Sequence, residues 1–410
     1  MRNYGPYEKV LRNLEKRGDI WMVSQGEYMS WWLARKKATL RISVSDGRCQ
    51  VDTSLERAVI EQYPGQFLDT ALVTCKETTF SGEVRITIDS TLDEQERELL
   101  IELLTREGIL NLRIAEDGEF MLSRAEIKPL LENIERKLCE RDRLFEEDID
   151  AVRQCVIDKL AARNLPLLRV WYHPRLNGVV TQAVFSPRFD VDRAITNLAR
   201  IRKLENKHGA SSTLYLRAFC PFYTDSAVKG LASVPWCSEI ALHGEFVTNA
   251  PQYGDEIKAA AAEKRHLEEL VGRPILGVCM HGGELSANTD QRTAATVQAV
   301  GLLYDTTQRI KYYFPFRKII DGRLSESYCL AHALGDIKIP ASHEYEHEFY
   351  GQTIAQMNEI YEQRGVFVFM LHPVYFGFFR YVFHPTNWGP FIRFFWRYFT
   401  PSRHQAEGRS

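Results

Sequence analysis

Apolar residues fall along this chain in two rhythms, and their succession separates three regions. In the first, residues 1–90, helical spacing over Tyr7–Lys16 predicts a helix and a short apolar run at Ile20–Ser24 predicts a strand. A second helix from near Gln25 carries Trp31 and Trp32. Alternation at every second residue then takes over in TLRISVSD and GEVRITID, with Asp46-Gly47 as a hairpin turn. Residues 91–170 return to helical spacing. Leu99, Leu100, Leu103 and Leu104 mark a helix over Asp93–Arg106, a hairpin is expected at Glu116-Asp117-Gly118, and a long charged helical stretch runs from Arg124 to about Arg163. Helix, hairpin and helix in this order resemble a winged-helix element. Without a basic excess on the helices, packing or dimerisation is an equal reading.

The third region, residues 171–400, changes character. Strand-like runs (VVTQAVFS, STLYLRA, EIALH, PILGVCMH, LLYDTT, IKIP and VFVFMLH) are interleaved with helical spacing over 191–208, near 226–232 and over 255–271. Strand, helix, strand at this pace implies an α/β fold, either a βα barrel or a doubly wound sheet. The expected whole is a partly closed, distorted βα barrel preceded by an N-terminal α+β region.

Composition narrows the partners. Lys plus Arg (52) nearly equals Asp plus Glu (54), for a net charge of −2, so no nucleic-acid partner is expected. The eight cysteines are scattered singly with no CxxC pair, which argues against a zinc ribbon or a disulfide framework. The N-terminus has no apolar core of signal-peptide length and no run has spanning length, so a cytoplasmic location is expected. One feature qualifies this. From Phe367 to Phe399 the chain is crowded with Phe, Tyr and Trp, with Arg380, Arg393 and Arg397 interspersed. Those rings either cap the domain or form an interfacial patch that makes the protein membrane-peripheral.

In a parallel β/α architecture chemistry collects where strands end. The first strand of region three runs out into Asp190 and Asp192, two carboxylates one residue apart that can converge on one ion or divide the work of base and ligand. Other strands end at His243 with Glu245 beyond it, at His281, and at His372. Each has a plain structural alternative. Asp192 can cap the following helix, Asp190 can form a surface ion pair with Arg188 or Arg193, and a lone histidine is usually hydrogen-bonded structure. Four strand ends carrying ligand-type residues weigh against coincidence.

Those same residues carry a family resemblance over roughly 178–375. FDVD resembles the paired-Asp motif of NodB-type polysaccharide deacetylases, SEIALHGEF the E-I-G-x-H segment, GVCMHGGELS a C-x-H-G-x-x-L-S segment, LLYDTT the Y-D-S-S stretch, and FMLHP the closing histidine-bearing strand. The resemblance implies metal-dependent hydrolysis of an N-acetyl group on an amino-sugar glycan or glycan precursor. Asp190 falls on the general base, Asp192 and His243 on ligands of a divalent metal (zinc first), and His372 on the general acid. One position departs from the pattern: where the family places a second ligand histidine, four residues after the first, this chain has Val247. His281, Glu245 and Asn249 are the candidates for the third ligand or for substrate binding. A catalytically inactive domain that binds glycan or a partner protein in envelope-polysaccharide synthesis is the alternative, and an unrelated βα-barrel hydrolase is a third. At the other end, RGDIWMVSQGEYMSWWLARKKATLRI resembles the segment that closes such deacetylases, as though residues 1–90 held the remnant of another unit.

Overall fold

Nine consecutive buried residues, Ala183–Val191, form the longest strand of the barrel sheet. Burial at every position is the mark of a strand covered on both faces, as in a parallel sheet. The computed structural model describes residues 3–38, most of 40–62, short strands between 66 and 170, and 171–376 with breaks at 194, 235–238, 283–290, 310–312, 321–322 and 337–343.

A ten-stranded sheet organises the molecule. In chain order its strands are β1 (Ile20–Met22), β2 (Ala183–Val191), β3 (Thr213–Leu216), β4 (Glu239–Gly244), β5 (Gly277–Met280), β6 (Tyr304–Asp305), β7 (Phe316–Ile320), β8 (Arg323–Cys329), β9 (His332–Gly335) and β10 (Val366–Leu371). In space the order is β7-β8-β6-β5-β4-β3-β2-β10-β9, with β1 also on β2. All neighbours are parallel except the β7–β8 hairpin. The path has two ends, β7 and β9, and the curled sheet is a distorted, partly closed βα barrel. Helices α1 (Tyr4–Arg17), α2 (Gln25–Lys37), α3 (Leu198–Lys207), α4 (Asp225–Ala232), α5 (Phe246–Tyr253), α6 (Glu256–Val271), α7 (Gln291–Ala299) and α8 (Tyr345–Glu362) accompany it.

Strand parity separates two chemistries. Along β2, Ala183, Phe185, Phe189 and Val191 join the main apolar cluster, with Leu214, Leu216, Ile240, Leu242, Val278, Met280, Phe367, Phe369 and Leu371 from neighbouring strands. The alternate residues Ser186, Arg188, Asp190, Thr213, Tyr215, Glu239, His243 and Cys279 are buried as well but stand outside that cluster. Side chains two apart share a face, so the helix-facing side is apolar and the barrel interior polar. Asp192 and His372 continue the interior parity beyond their strand ends.

The N-terminal elements complete this barrel. Ile20, Trp21 and Met22 pair in parallel with Ala183, Val184 and Phe185, end to end with β3, which takes Arg188–Val191 on the same strand. Tyr7, Val10, Leu11 and Leu14 of α1 lie in the main cluster. The start of α2 meets the far end of the strands: Gln25 N donates to Thr213 Oγ1 (2.8 Å) and Gly26 N to Glu239 Oε2 (2.7 Å). Ser24 caps α2 by accepting from Glu27 N, the Ser-x-x-Glu pattern of a capping box. The segment that resembles a closing element thus packs on this chain's own sheet, where β1 continues the β3 side of β2. Its apolar helix face needs cover, and the barrel wall supplies it.

Other expectations resolve locally. The Asp46-Gly47 hairpin is present in its strands, Leu40–Ser45 pairing antiparallel with Arg48–Thr53. The helix expected over 191–208 starts at Leu198, because β2 runs on to Val191. Asn197, not Asp192, sits at its cap position. The strand expected at IKIP lies wholly outside the described residues, and β9 lies just before it. Of the middle region, Glu119–Leu122 pairs in parallel with Arg85–Ile88, and Leu168–Val170 pairs with Ile60–Gln62. The helices expected over 93–106 and 124–163, the hairpin turn at 116–118 and the aromatic run beyond Phe376 lie outside the described residues. Among the described residues no helix is long and apolar enough to cross a membrane.

Candidate active site

Asp190, Asp192, His243, His281 and His372 come together at the C-terminal ends of β2, β4, β5 and β10. Asp192 Oδ1 lies 3.1 Å from His243 Nε2 and 3.4 Å from His281 Nε2. The ligand atoms of these three residues all lie within 4.8 Å of one another. Each imidazole is held by its other nitrogen. His243 Nδ1–H donates to the Cys279 carbonyl (3.0 Å), and His281 Nδ1–H donates to Glu245 Oε1 (3.1 Å). Glu245 is in turn gripped by both arms of Arg217 at 2.8 and 3.0 Å. Such partners fix tautomer and ring orientation, turning Nε2 of both rings toward one point.

One carboxylate oxygen and two imidazole nitrogens, each imidazole with an outer partner, are a donor set suited to zinc or a similar divalent cation. A second group, Asp190, His243 and Cys279, is also close enough to share an ion, but it would need His243 Nδ1, which the Cys279 carbonyl occupies. Of the three candidate third ligands, the structure brings His281 to the point. Glu245 stands behind it. Asn249 turns away on α5, donating to Glu263 Oε1 (2.7 Å), and Val247 on the same helix packs against the apolar cluster.

Asp190 is not at the surface, as an ion-pair reading of it suggests. It is buried within β2, and Arg188 Nη2 donates to its Oδ2 at 2.9 Å with both side chains almost wholly covered. Arg188 is anchored by Thr306, donating to its carbonyl and to its Oγ1. Thr306 Oγ1 donates to the Tyr215 hydroxyl, which donates to Gln25 Oε1 on α2. A buried polar chain thus runs down the barrel from Asp190 to the N-terminal segment.

His372 follows β10. Its Nδ1–H donates to Asp336 Oδ1 at 2.7 Å, and its backbone N–H donates to Asp336 Oδ2 at 2.9 Å. Asp336 was not foreseen. It sits one residue past β9, a strand that the alternating pattern places several residues later, so its strand-end position was hidden. Arg217 and Cys279 also escape sequence reasoning, since neither residue type announces support of a histidine on another strand.

Electrostatics divide the site in two. Burial alone would raise the Asp190 pKa, but the Arg188 guanidinium, followed by His243 and His372, holds it below the usual carboxylate range. Asp192 is likewise held low against burial, by its hydrogen bond and charge interaction with His243 and by His372 and His281. Burial opposes charging of His372, yet Asp336, reinforced by Asp190 and Asp192, pulls its pKa up. For His243 the same opposition is overcome by Cys279, Asp192 and Asp190. A carboxylate shifted toward its charged form and an imidazole shifted toward its protonated form therefore both interact with the charges of the Asp192–His243–His281 group.

No family model and no curated protein matches the chain. Among solved structures, one described as a polysaccharide deacetylase from Mycobacterium smegmatis aligns over 46% of this chain and 77% of its own, at 16% identity and a TM-score of 0.36. One from Bordetella bronchiseptica, described as a polysaccharide deacetylase involved in O-antigen biosynthesis, aligns over 47% and 72% at 16% identity and a TM-score of 0.31. An allantoinase aligns over 46% and 76% at 14% identity and a TM-score of 0.36. Likenesses this distant establish neither membership of a family nor an activity.

Proposed function

We propose that the protein is a metal-dependent amide hydrolase that removes an N-acetyl group from an amino-sugar glycan or glycan precursor. The observation that carries the reading is the convergence of Asp192, His243 and His281 on one point, with Arg188 holding the Asp190 pKa down and Asp336 pulling the His372 pKa up. Asp192 Oδ1 and Nε2 of both histidines would hold the cation, with Glu245 and the Cys279 carbonyl orienting the rings. When bound, a divalent cation at this point polarises an amide carbonyl and lowers the pKa of water.

The chain's residues supply the rest. Ionised Asp190 accepts a proton from the attacking water as its oxygen joins the acyl carbon. His372 gives its proton to the amide nitrogen as the carbon–nitrogen bond breaks, so the products are acetate and a free amine. Arg188 keeps Asp190 charged in a buried position, and Asp336 turns the His372 ring so that Nε2 faces away from it. Binding of a cation displaces the proton that the carboxylates favour on His243, so affinity weakens on acidification. The choice of an N-acetyl sugar rests on the FDVD, IALH and FMLHP motifs.

The inactive, binding-only alternative draws on Val247 at a ligand position. It loses force because His281 stands where a third ligand is needed. The test is acetate release from a panel of N-acetylated sugars with zinc present. Asp190→Asn preserves shape and removes the base, so turnover should fall by about 10²–10⁴ while the bound metal stays. Absence of acetate from the wild-type protein across the panel returns the binding-only reading, and full activity in the Asn variant rules out this assignment of the base.

A further inference from the structure

Asn3 is wholly buried at the head of α1, although an exposed amide there would serve the helix as well. Its side chain is spent elsewhere. Nδ2 donates to Asp336 Oδ2 at 3.1 Å, and Oδ1 accepts from the Tyr345 hydroxyl at 2.7 Å. Its backbone N–H donates to the carbonyl of Tyr375 at 3.2 Å, in the short turn that follows His372. Asp336 thus receives three donors: His372 Nδ1 on one oxygen, and His372 N and Asn3 Nδ2 on the other. The carboxylate, itself only 1% exposed, has no room to rotate. A carboxylate accepts only, so the Asn3 amide must present its NH2 group, and the Tyr345 hydroxyl on Oδ1 fixes that orientation.

We propose that Asn3 is a positioning residue for His372, acting through Asp336, and that the first helix of the chain is thereby a working part of the site. Asn3 locks the plane of the Asp336 carboxylate and ties down the turn after His372. The His372 ring is held with Nδ1 on Asp336 and its other nitrogen free. Tyr7, one turn along α1, strengthens the placement: its ring meets Phe376 edge-on at 5.6 Å and Phe189 at 6.0 Å, so α1 grips strand β2 and the His372 turn together. The inference deepens the reading of His372 as the general acid and rests on it.

The experiment separates the two ideas. In full-length, zinc-supplemented protein labelled with 15N-histidine, the Nδ1–H proton of His372 should appear as a downfield, exchange-protected resonance, assigned by its loss in His372→Gln. Asn3→Asp sets one carboxylate against another at constant shape, and Asn3→Ala removes the donor. Both should broaden or shift that resonance and lower kcat on the order of ten- to a hundredfold, with KM unchanged. Tyr345→Phe, which keeps the packing and leaves Asn3 Oδ1 without the donor that steadies the amide, should do the same in lesser degree, and it decides the question if neither Asn3 variant folds. An unaltered resonance with kcat within about twofold of wild type, in a folded Asn3 variant or in Tyr345→Phe, overturns the proposal. If wild type releases no acetate while the resonance still depends on Asn3, the positioning role stands and the deacetylase reading falls.

Discussion

Glu263 offers a test of the scaffold behind the site that needs no substrate. This carboxylate of α6 is 1% exposed, and accepts from Glu245 N at 3.0 Å and from Asn249 Nδ2 at 2.7 Å. It thereby anchors the start of α5, and with it the residue that orients His281. Burial is the larger influence and pushes its pKa up from an ordinary 4.5 to about 7, against the two hydrogen bonds. Between those pH values the folded protein holds a proton that the unfolded chain has released, so stability falls as pH rises through the interval. Each pH unit is worth about 1.4 kcal/mol, and two and a half of them give about 3 kcal/mol, fully lost above pH 7. In Glu263→Gln the titration is removed, and an Asn249 flip lets its carbonyl accept from the new amide. The measurement is urea unfolding of both proteins from pH 4.5 to pH 8 in chelator, because a bound cation adds its own field. The difference between the two stability curves should change by about 3 kcal/mol, in favour of Gln at the alkaline end. Parallel curves over the whole range would refute the buried, proton-holding assignment of Glu263.

His281→Ala should lose bound zinc by elemental analysis, and Glu245→Gln should weaken it by about 10- to 100-fold. Asn249→Ala should leave the metal content as it was, and the reverse ranking would move the third ligand to α5. Trp32→Ala, at a wholly buried position of α2, should cost about 3–5 kcal/mol of unfolding free energy; a loss under about 1 kcal/mol would mean that α2 does not pack as described.

Much of the barrel is legible in the sequence because its determinants are local. Period-two alternation is a property of neighbouring residues, so FDVD alone places Asp190 and Asp192 on one face. The apolar runs at EIALH, GVCM and VFVFML likewise place His243, His281 and His372 at strand ends. What alternation cannot supply is depth. Arg188 beside Asp190 reads as a surface pair until the sheet curls and takes both out of water, and a buried pair anchored on Thr306 just past β6 behaves quite differently from an exposed one.

The rest was decided by partners far apart in the chain. His281, Glu245 and Asn249 were equivalent donors in sequence. Only the packing of α5 on α6 sends Asn249 to Glu263, and only the neighbouring of β4 and β5 sets His281 opposite Asp192. Asp336 meets Asn3 across 333 residues, and β1 joins β2 across some 160. A contact of that span leaves no periodic trace in either segment, because each residue satisfies its own local pattern whichever partner it later finds. The sequence alone therefore determined which residues face the interior of this barrel and at which strand ends they stand. The tertiary structure alone determined which of them touch, since a hydrogen bond needs two groups placed within about 3 Å, and only the packing of the first helix and the later strands about one sheet achieves that.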